Sequence, residues 1–440
     1  MKNVLLLGAG FVAHPLVRYL LDQPFIQLTI ASRTLKKAEN LLEGHPRGKA
    51  FQLNIKDVRA LHSFIDQADV VISLLPWIHH LTVAKMCLEL GKHLITTSYI
   101  KPEMKELDAK AREKGLLFLN EIGVDPGIDH MAAMRIIHSV KDKGGTVTSF
   151  YSYCGGLPAL QNNTNPLGYK FSWSPTGVML AANNDGRYLK EGQIIEVPGS
   201  QLFEHYWLVD VPGAATFEAY VNRDALPYIE LYGLDGIQSM YRGTLRNISH
   251  CETWNYFKKL GLLDQNKVFD FDAVTVRDVI TELVNGHGDN LAKDTAAFLQ
   301  IPDYSITIKK MEWLGLFEEQ KLSLGKASVF DMFAQILQEK LVYEQGEVDL
   351  LVQYHEFIAE YPRGRREKIT STLVDTGIPE GDSSMARTVS LPAAIATRLL
   401  LEGKITASGV HLPVLPEIYE PVLNELESLH IKLTERVERI

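Results

Sequence analysis

Short apolar runs alternate with amphipathic segments over the first 120 residues of the chain. The runs have the length and the continuous hydrophobicity of strands that are buried on both faces. They lie at residues 5–7, 28–31, 70–76, 93–99 and 116–120. Helices are predicted between them, and Gly91 and Gly115 end the two at 81–90 and 103–114. This alternation predicts an α/β fold with a doubly wound parallel sheet of the Rossmann type.

The first strand runs directly into a glycine-rich turn. Gly8 suits a tight turn from strand to helix, and Gly10 has no β-carbon, so its backbone can approach a pyrophosphate. Ala13 stands where the usual fingerprint has a third glycine, and alanine is tolerated there. The free N–H groups at the start of the next helix would hold the anion. We therefore expect this turn to bind a dinucleotide.

The second strand ends in a polar and basic sequence instead of an acidic residue. A site selective for NAD usually has Asp or Glu here, about 20 residues after the glycine turn, to bind the ribose 2′-hydroxyl. This chain has Ser32 and Arg33, followed by Lys36 and Lys37. A guanidinium can bind a 2′-phosphate bidentately, whereas a carboxylate would repel it. The pattern favours NADP(H), with NAD as the second candidate; the alternative is that Arg33 is an ordinary solvated surface residue.

Polar residues follow the later strands of the predicted sheet. In doubly wound sheets, ligands bind beyond the carboxyl ends of the strands. This rule nominates Ser73, Ser98, Tyr99 and residues 121–125 as candidate ligand-binding positions.

Two motifs in the middle of the chain have both a structural and a functional interpretation. Asp125, Pro126 and Gly127 predict a turn, because proline fixes φ and glycine permits a positive φ. Cys154 stands in a Cys-Gly-Gly sequence at which a strand is predicted to end. A lone cysteine is more often a small buried residue than a nucleophile, and the sequence shows no histidine and carboxylate partner for it. Covalent catalysis is therefore not expected.

The texture of the chain changes after residue 125. Residues 126–250 are rich in strands and aromatic residues, and they suit an antiparallel sheet that supports a substrate. Residues 255–345 contain long helical segments. Strands at 350–361 and 366–376 are predicted to pair across a Pro-Arg-Gly turn, and 384–401 is predicted to be helical.

Composition is that of a globular protein with two or three domains: 440 residues, of which 46 % are hydrophobic and 22 % charged. The 45 basic and 54 acidic residues give a net charge of −9, which argues against nucleic acid or an anionic membrane as the main partner. Neither a membrane span nor a signal peptide is predicted. Three scattered cysteines, and His79 and His80 without a third ligand, predict neither disulfides nor a metal site. We expect a cytoplasmic protein.

Longer motifs, spread along nearly the whole chain, carry a family resemblance. They lie at residues 8–12, 71–76, 120–130, 152–159, 165–174, 222–224, 242–246 and 385–394. These segments resemble the saccharopine dehydrogenase family, in its L-glutamate-forming branch (saccharopine reductase). The segments at 152–159 and 165–174 are far more specific than the glycine turn, whereas residues 255–345 match only in general helical character.

The resemblance implies a reaction and a set of site residues. The reaction is hydride transfer between NAD(P) and the imine or secondary amine that links 2-aminoadipate 6-semialdehyde to glutamate, in lysine metabolism. Saccharopine carries three carboxylates, which arginine forks can bind bidentately. The implied substrate-binding residues are Ser98, Tyr99, Asp125, Arg223, Thr244 and Arg246. The implied cofactor-binding residues are Gly8, Gly10, Phe11, Val12, Ser32, Arg33, Asn54, Ile55, Ser73, Asp125, Pro126, Gly127 and Cys154.

Asp125, Tyr99 and Cys154 are the ionisable residues that the motifs place near the reacting centre, so they are the candidate catalytic residues. Asp125 would orient the secondary amine, and Tyr99 would donate a proton to that amine or to a water. A solvent water or the substrate's own amine is the alternative proton carrier.

Both the pattern and the resemblance suggest discontinuous domains. Residues 1–125 with 385–440 would form the Rossmann domain. Residues 126–250 with 346–384 would form an α+β domain for substrate binding and dimerisation, with a helical insertion at 251–345. A homodimer is implied by the resemblance alone.

Two other functions compete with this interpretation. A carboxyspermidine-type dehydrogenase would condense a semialdehyde with a diamine and would need acidic residues where this chain has Arg223 and Arg246. A non-catalytic NADP(H)-binding protein would keep the glycine turn and Arg33 but would lack a substrate-binding wall. The two arginines and the motif at 165–174 favour the dehydrogenase of amino-acid substrates.

Overall fold

A computed structural model describes residues 1–286 and 290–440. Within it the chain divides into two compact units. Unit 1 comprises Met1–Thr148, Leu231–Leu234 and His355–Ile440, and unit 2 comprises Ser149–Glu230 and Asp235–Tyr354. The helical insertion expected at 251–345 includes residues 287–289, which lie outside the described residues. The predicted three-part domain division stays a prediction.

Helices and strands cover most of the described chain. The helices are α1 Ala13–Asp22, α2 Leu35–Leu42, α3 Val58–Asp66, α4 His80–Leu90, α5 Pro102–Lys105, α6 Asp108–Glu113, α7 Ile128–Asp142, α8 Pro175–Ala181, α9 Pro227–Leu231, α10 His250–Lys259, α11 Val276–Val284, α12 Leu291–Leu299, α13 Ile306–Leu314, α14 Val329–Lys340, α15 Ser384–Leu401 and α16 Pro416–Ser428. The strands are β1 Lys2–Leu7, β2 Ile26–Ser32, β3 Gly48–Gln52, β4 Val70–Ser73, β5 His93–Thr96, β6 Leu117–Leu119, β7 Thr146–Pro158, β8 Gly186–Lys190, β9 Gln193–Val197, β10 Tyr206–Asp210, β11 Thr216–Val221, β12 Ser239–Arg246, β13 Val268–Asp270, β14 Lys326–Ser328, β15 Asp349–Tyr361, β16 Arg365–Thr376, β17 Gly409–His411 and β18 Thr434–Arg439.

Unit 1 contains a seven-stranded parallel sheet in the order β17-β6-β5-β4-β1-β2-β3. From β1 the strands follow one another outward on one side as β2 and β3, and on the other side as β4, β5 and β6. Strands β1 and β4 are parallel neighbours, so the strand order changes direction between them, as in a doubly wound Rossmann sheet. Val4 to Leu7 are all buried, and Leu5 and Leu7 belong to the core that also includes residues of α3 and α4. Because successive strand residues point to opposite faces, the sheet is covered on both sides.

Unit 2 contains a mixed sheet. Strands β10, β11 and β12 are antiparallel neighbours, and β12 pairs in parallel with β7 through partners such as Thr244 and Cys154. The β8–β9 hairpin joins this sheet through β12. The expectation of an antiparallel sheet was therefore wrong for β7, which pairs with β12 in parallel. Parallel neighbours need a long connection, and here the chain between β7 and β12 contains β8 to β11.

The elements of the first 120 residues follow the predicted order. The strands at 28–31 and 70–76 are observed as β2 and β4, and Gly91 ends α4 in the left-handed conformation. The single helix expected at 103–114 is wrong: Leu107 N donates to Met104 O, and this tight turn separates α5 from α6.

Further along the chain, two expectations have different outcomes. Strand β7 does not end at Cys-Gly-Gly but continues to Pro158. A β-carbon on Gly155 would collide with Leu245, so this glycine serves the close approach of β12 and not a strand end. Strands β15 and β16 and helix α15 confirm the elements predicted at 350–361, 366–376 and 384–401. No helix in the described part of the chain is long and apolar enough to span a membrane.

Candidate active site

The glycine turn lies at the point where the order of the parallel sheet reverses. Gly8 follows β1 with φ of 110°, a backbone conformation that residues with a side chain rarely adopt. A β-carbon on Gly8 would lie 3.1 Å from the carbonyl oxygen of Leu74, in the loop after β4. The two loops therefore approach each other closely, and a side chain at this position would be both crowded and strained. A β-carbon on Gly10 would meet no atom within 4 Å, so open space adjoins this backbone.

Helix α1 begins directly after this turn. Its first residue is Ala13, and Val12 precedes it without a side-chain hydrogen bond to the helix N-terminus. The N–H groups of the first turn of α1 therefore have no side-chain cap. Phe11 is 72 % exposed beside them. This arrangement of open space and uncapped N–H groups is what an anion-binding turn requires.

The end of β2 is basic and exposed. Arg33 follows the last strand residue, Ser32, and forms no salt bridge with the residues that the structure describes. Its carbonyl oxygen accepts a hydrogen bond from Gln52, 3.2 Å away. Asn54 is exposed after β3, and its Oδ1 accepts from Lys56 N at 3.1 Å, while Ile55 is half-buried. The predicted cofactor residues at 32–33 and 54–55 thus follow neighbouring strands β2 and β3.

Ser73 and Ser98 are linked through a histidine that the sequence analysis left without a role. His80 Nδ1 lies 2.9 Å from Ser73 Oγ, and its Nε2 lies 2.8 Å from Ser98 Oγ. Ser73 is completely buried, whereas Ser98 is half-buried. Burial, and to a lesser extent the charge of His79, lowers the pKa of His80 to about 4, so its ring is neutral at neutral pH. His80 was considered only as a metal ligand, and the sequence offers no signal for this bridge.

Tyr99 and Asp125 are brought together, as their shared assignment requires. The Tyr99 hydroxyl donates to Asp125 Oδ1 at 2.8 Å, from the loop after β5 to the turn before α7. Both side chains are half-buried. A hydrogen bond to the first turn of α7 stabilises this turn: Gly127 N donates to Asp129 Oδ1 at 2.5 Å. Asp125, Pro126 and Gly127 therefore do form a turn, and Asp125 carries a hydrogen-bonded carboxylate on it.

A buried hydrogen bond between Glu121 and His130 supports the loops that carry Tyr99 and Asp125. Glu121 Oε2 lies 2.8 Å from His130 Nε2, and both side chains are at most 1 % exposed. Glu121 Oε1 accepts from Ile100 N at 2.9 Å, and His130 Nδ1 lies 2.5 Å from the Tyr232 hydroxyl. One carboxylate thus joins the loop after β5 to the first turn of α7. Both residues stand in the family motif at 120–130. Glu121 is also one of the candidate ligand-binding positions 121–125, whereas no role is predicted for His130.

In unit 2, Cys154 and Thr244 are register partners on adjacent strands. Cys154 is buried, and Thr244 is half-buried. Arg246 lies two residues beyond Thr244 on β12, so both side chains point to the same face of the sheet. The structure therefore brings these three predicted residues together within one unit.

Arg246 is a buried cation without a counterion among the described residues. Its side chain is 7 % exposed, and its guanidinium lies 5.1 Å from the ring centre of Tyr169 and 6.0 Å from that of Tyr220. Nη1 donates to Leu245 O at 2.9 Å, but Nε has no partner. Its register partner, Glu218, instead accepts from Ser249 N and Cys251 N, both at 2.7 Å. A buried guanidinium with an unused donor could bind an anionic ligand.

One further cationic group, Lys310, adds to the positive charge around Arg246. Burial together with the charges of Arg246 and Lys310 lowers the pKa of His250 well below its ordinary value. Lys310 Nζ donates to Ser249 Oγ and Thr253 Oγ1, both at 2.7 Å, and burial lowers the pKa of Lys310 to about 8. Tyr169, Tyr220 and Lys310 were not among the predicted site residues. Tyr169 stands in the motif at 165–174, whereas Tyr220 and Lys310 carry no sequence signal.

The second predicted arginine has a different environment. Arg223 follows β11 with φ of 60°, and its side chain is exposed. Arg242 is buried on the same face of β12 as Thr244 and Arg246, with its guanidinium 4.4 Å from the ring centre of Tyr228. The period of two in Arg242, Thr244 and Arg246 would have placed all three on one face, but Arg242 had not been selected.

Metal binding has no support in the described residues, where no three His, Cys, Asp or Glu side chains are grouped so that they could hold a metal ion. None of the three cysteines in the described chain forms a disulfide.

Comparison with known families finds a match for each of two consecutive parts of the sequence. Residues 4–119 match the saccharopine dehydrogenase NADP binding domain, and residues 123–431 match the saccharopine dehydrogenase C-terminal domain. The chain belongs to the saccharopine dehydrogenase family. The family resemblance seen in the motifs is therefore confirmed.

Individual members of the saccharopine dehydrogenase family match over the full length. The saccharopine dehydrogenase [NADP(+), L-glutamate-forming] of Schizosaccharomyces pombe is 38 % identical over 448 residues, which cover 99 % of both chains. The mitochondrial alpha-aminoadipic semialdehyde synthase of Bos taurus is 36 % identical, over 98 % of this chain and 47 % of that protein. The structure of apo saccharopine dehydrogenase (L-Glu forming) from Saccharomyces cerevisiae matches with a TM-score of 0.89 and 36 % identity, covering 100 % of both chains. The predicted fold is confirmed by this likeness.

The unpaired state of Arg246 leads to a stability prediction, with Arg387 as the matched control. Arg387 is also buried, but its Nη1 lies 3.0 Å from Asp375 Oδ2. Arg387→Met should lower the free energy of unfolding by about 3–5 kcal/mol, because it leaves the Asp375 carboxylate buried without a counterion. Arg246→Met should lower it by less than about 1 kcal/mol or raise it, because a buried charge without a partner opposes folding.

Urea denaturation followed by circular dichroism measures both effects. Equal destabilisation by the two substitutions would show that Arg246 serves the fold, and it would contradict its assignment as an anion-binding group.

Proposed function

We propose that this chain is an NADP-dependent saccharopine dehydrogenase of the L-glutamate-forming type, an oxidoreductase of lysine metabolism. The observation that carries the proposal is the full-length likeness to proteins of that name, at 38 % identity over 99 % of both chains. The buried, uncompensated guanidinium of Arg246 adds a chemical reason, because the substrate is rich in carboxylates.

The residues of the glycine turn fit NADP. Gly8 permits the turn, open space adjoins Gly10, and the first N–H groups of α1 lack a side-chain cap. Arg33, exposed after β2, is in the position where NAD-selective sites have a carboxylate, and it would bind the 2′-phosphate. The cofactor supplies the acceptor for a hydride when it is bound. Ser32, Asn54 and Ile55 would contact the adenosine side.

The chain's own residues would bind the substrate and handle its protons. Arg246, flanked by two tyrosine rings, would bind one carboxylate of saccharopine, and Arg223 and Ser98 would bind the others. Oxidation removes a hydride from the carbon on the aminoadipate side of the secondary amine, which leaves a C=N bond between that carbon and the nitrogen of the glutamate part. Water adds to that carbon, and cleavage of the C–N bond releases glutamate and the semialdehyde.

Asp125 is the proposed base in this sequence. Its carboxylate would take the proton of the secondary ammonium before hydride transfer and release it to solvent, and it would then take a proton of the attacking water. Tyr99, which donates to Asp125 Oδ1, would hold the carboxylate in place and return a proton to the leaving amine. Cys154, the register partner of Thr244 in unit 2, stays a candidate catalytic and cofactor-binding residue. A cytoplasmic location and a homodimer stay predictions.

Purified protein tests the function directly. With saccharopine and NADP, absorbance at 340 nm should rise, and glutamate should form in a one-to-one ratio with NADPH. The rate with NAD should be at least about tenfold lower. A protein that binds NADP but gives no signal with saccharopine would contradict the proposed function.

Removal of the Arg33 guanidinium should change cofactor selectivity. Arg33→Ala should raise KM for NADP by about 10- to 100-fold, because a hydrogen bond to a charged group contributes about 1.5–3 kcal/mol. KM for NAD should stay within about twofold of the wild-type value, since NAD lacks the 2′-phosphate. Arg366→Ala, at an exposed arginine of β16 that pairs with Glu360, is the control and should change neither constant. An equal rise for both cofactors would contradict the role of Arg33.

Asp125→Asn should lower kcat by about 100-fold or more, the usual contribution of a general base. The acidic limb of the pH profile of kcat/KM should disappear with it, because the amide cannot accept the proton. Asp142→Asn, at the exposed end of α7, is the matched control. Unchanged turnover and unchanged substrate binding in Asp125→Asn would remove this residue from the site.

A further inference from the structure

Among the described residues, His80 is the buried histidine that joins two of the predicted site residues. Its two ring nitrogens face Ser73 Oγ at 2.9 Å and Ser98 Oγ at 2.8 Å. Ser73 ends β4, Ser98 follows β5, and His80 is the first residue of α4. A neutral imidazole has one donor and one acceptor, so the ring must donate to one serine and accept from the other.

The burial of Ser73 decides the direction. In the described chain, His80 is the only hydrogen-bond partner of the Ser73 hydroxyl, and Ser73 is 0 % exposed. If His80 Nδ1 carried the proton, the hydrogen of Ser73 would be buried without an acceptor, which is unfavourable. If Nδ1 accepts from Ser73 instead, the Ser73 hydroxyl is satisfied. The buried Thr96 hydroxyl does not distinguish the two tautomers, because Ser98 Oγ at 2.8 Å is a closer partner of Nε2 than Thr96 Oγ1 at 3.3 Å. The proton of the ring then lies on Nε2, which donates to Ser98 Oγ.

Surroundings of the Nε2 atom agree with this tautomer. Thr96 Oγ1 lies 3.3 Å from Nε2 and accepts from Ser98 N at 3.4 Å. Two hydroxyl oxygens therefore stand before the Nε2 proton. Because Ser98 Oγ accepts from the ring, its own hydrogen is not consumed by His80 and can point away from the protein interior.

We propose that His80 is a positioning residue that keeps the Ser98 hydroxyl as a hydrogen-bond donor to a substrate carboxylate. The bonds run in one direction, from Ser73 to His80 to Ser98 and from there to the ligand. The opposite tautomer would turn the lone pairs of Ser98 toward the carboxylate and repel it. This inference rests on the proposed function, in which Ser98 binds saccharopine.

The orientation of the Ser98 hydroxyl also requires that the His80 ring is neutral. Burial lowers the pKa of His80 to about 4, and the N-terminal position on α4 also disfavours a cation. His80 therefore keeps one tautomer over the pH range in which the protein works. It would not produce a limb in the pH profile, unlike a histidine that transfers the proton itself.

Nitrogen-15 labelled histidine tests the tautomer without substrate. Long-range proton–nitrogen correlation spectra at pH 6–8, with the His80 signals assigned by their loss in His80→Gln, should show Nε2 protonated and Nδ1 unprotonated. A proton on Nδ1, or on both nitrogens at pH 7, would overturn the proposal for any substrate.

Kinetics test whether His80 acts through Ser98. His80→Asn removes the group that reaches Ser98 and should raise KM for saccharopine about tenfold or more, with KM for NADP within about threefold. His80→Gln keeps an N–H near the Nε2 position and should restore most of this loss. Ser98→Ala should resemble His80→Asn, and the double variant should be no worse than either single one.

His79→Asn is the matched control, because His79 precedes α4 without a side-chain bond to the helix and should leave both KM values unchanged. Independent, multiplying losses in the double variant would overturn the role of His80, as would a lost limb in the pH profile of His80→Gln. A wild-type protein inactive with saccharopine but with Nε2 protonated would instead refute the substrate assignment, and it would leave the orientation of Ser98 standing.

Discussion

The cost of removing a charge from water is the constraint on which both units depend. In unit 1 it is met by partners: Glu121 is hydrogen-bonded to His130, and Asp375 is paired with Arg387. In unit 2 the carboxylate of Glu218 caps α10, and Arg246, its register partner, is left without a counterion among the described residues. These partners fix loops and helices, whereas the guanidinium of Arg246 has no counterion among the described residues, and we propose that a ligand supplies the opposite charge.

Burying an uncharged polar group without a hydrogen-bond partner also costs free energy, though less than burying a charge, and this applies to the polar groups at the carboxyl edge of the parallel sheet. A fully buried hydroxyl on Ser73 needs an acceptor, the neutral His80 supplies it, and Ser98 receives the next hydrogen bond. Glu121 holds the loop after β5 through Ile100 N, so that Tyr99 can reach Asp125. Side chains that are distant in the sequence are thus held in fixed positions at this edge of the sheet, because buried donors and acceptors are stabilised by hydrogen bonds to one another.

Much of this could be predicted from local signals. The apolar runs gave β2 and β4, and Gly91 ended α4 as expected, because period, length and glycine conformation act within a few residues. The misjudged features depend on distant chain segments. The sequence predicts a strand end at Gly155, but this glycine serves the close approach of β12. The parallel pairing of β7 with β12 joins residues about 90 positions apart.

The sequence by itself determined the doubly wound sheet, the glycine turn with its basic companion Arg33, and the family, because these rest on short patterns and on motifs that keep their residue types. Only the tertiary structure decided which side chains share an environment. It placed Tyr169 and Tyr220 about Arg246, His80 between two serines, and His130 against Glu121. The physical reason is that burial, charge pairing and hydrogen-bond satisfaction depend on contacts across the fold, which no local pattern encodes.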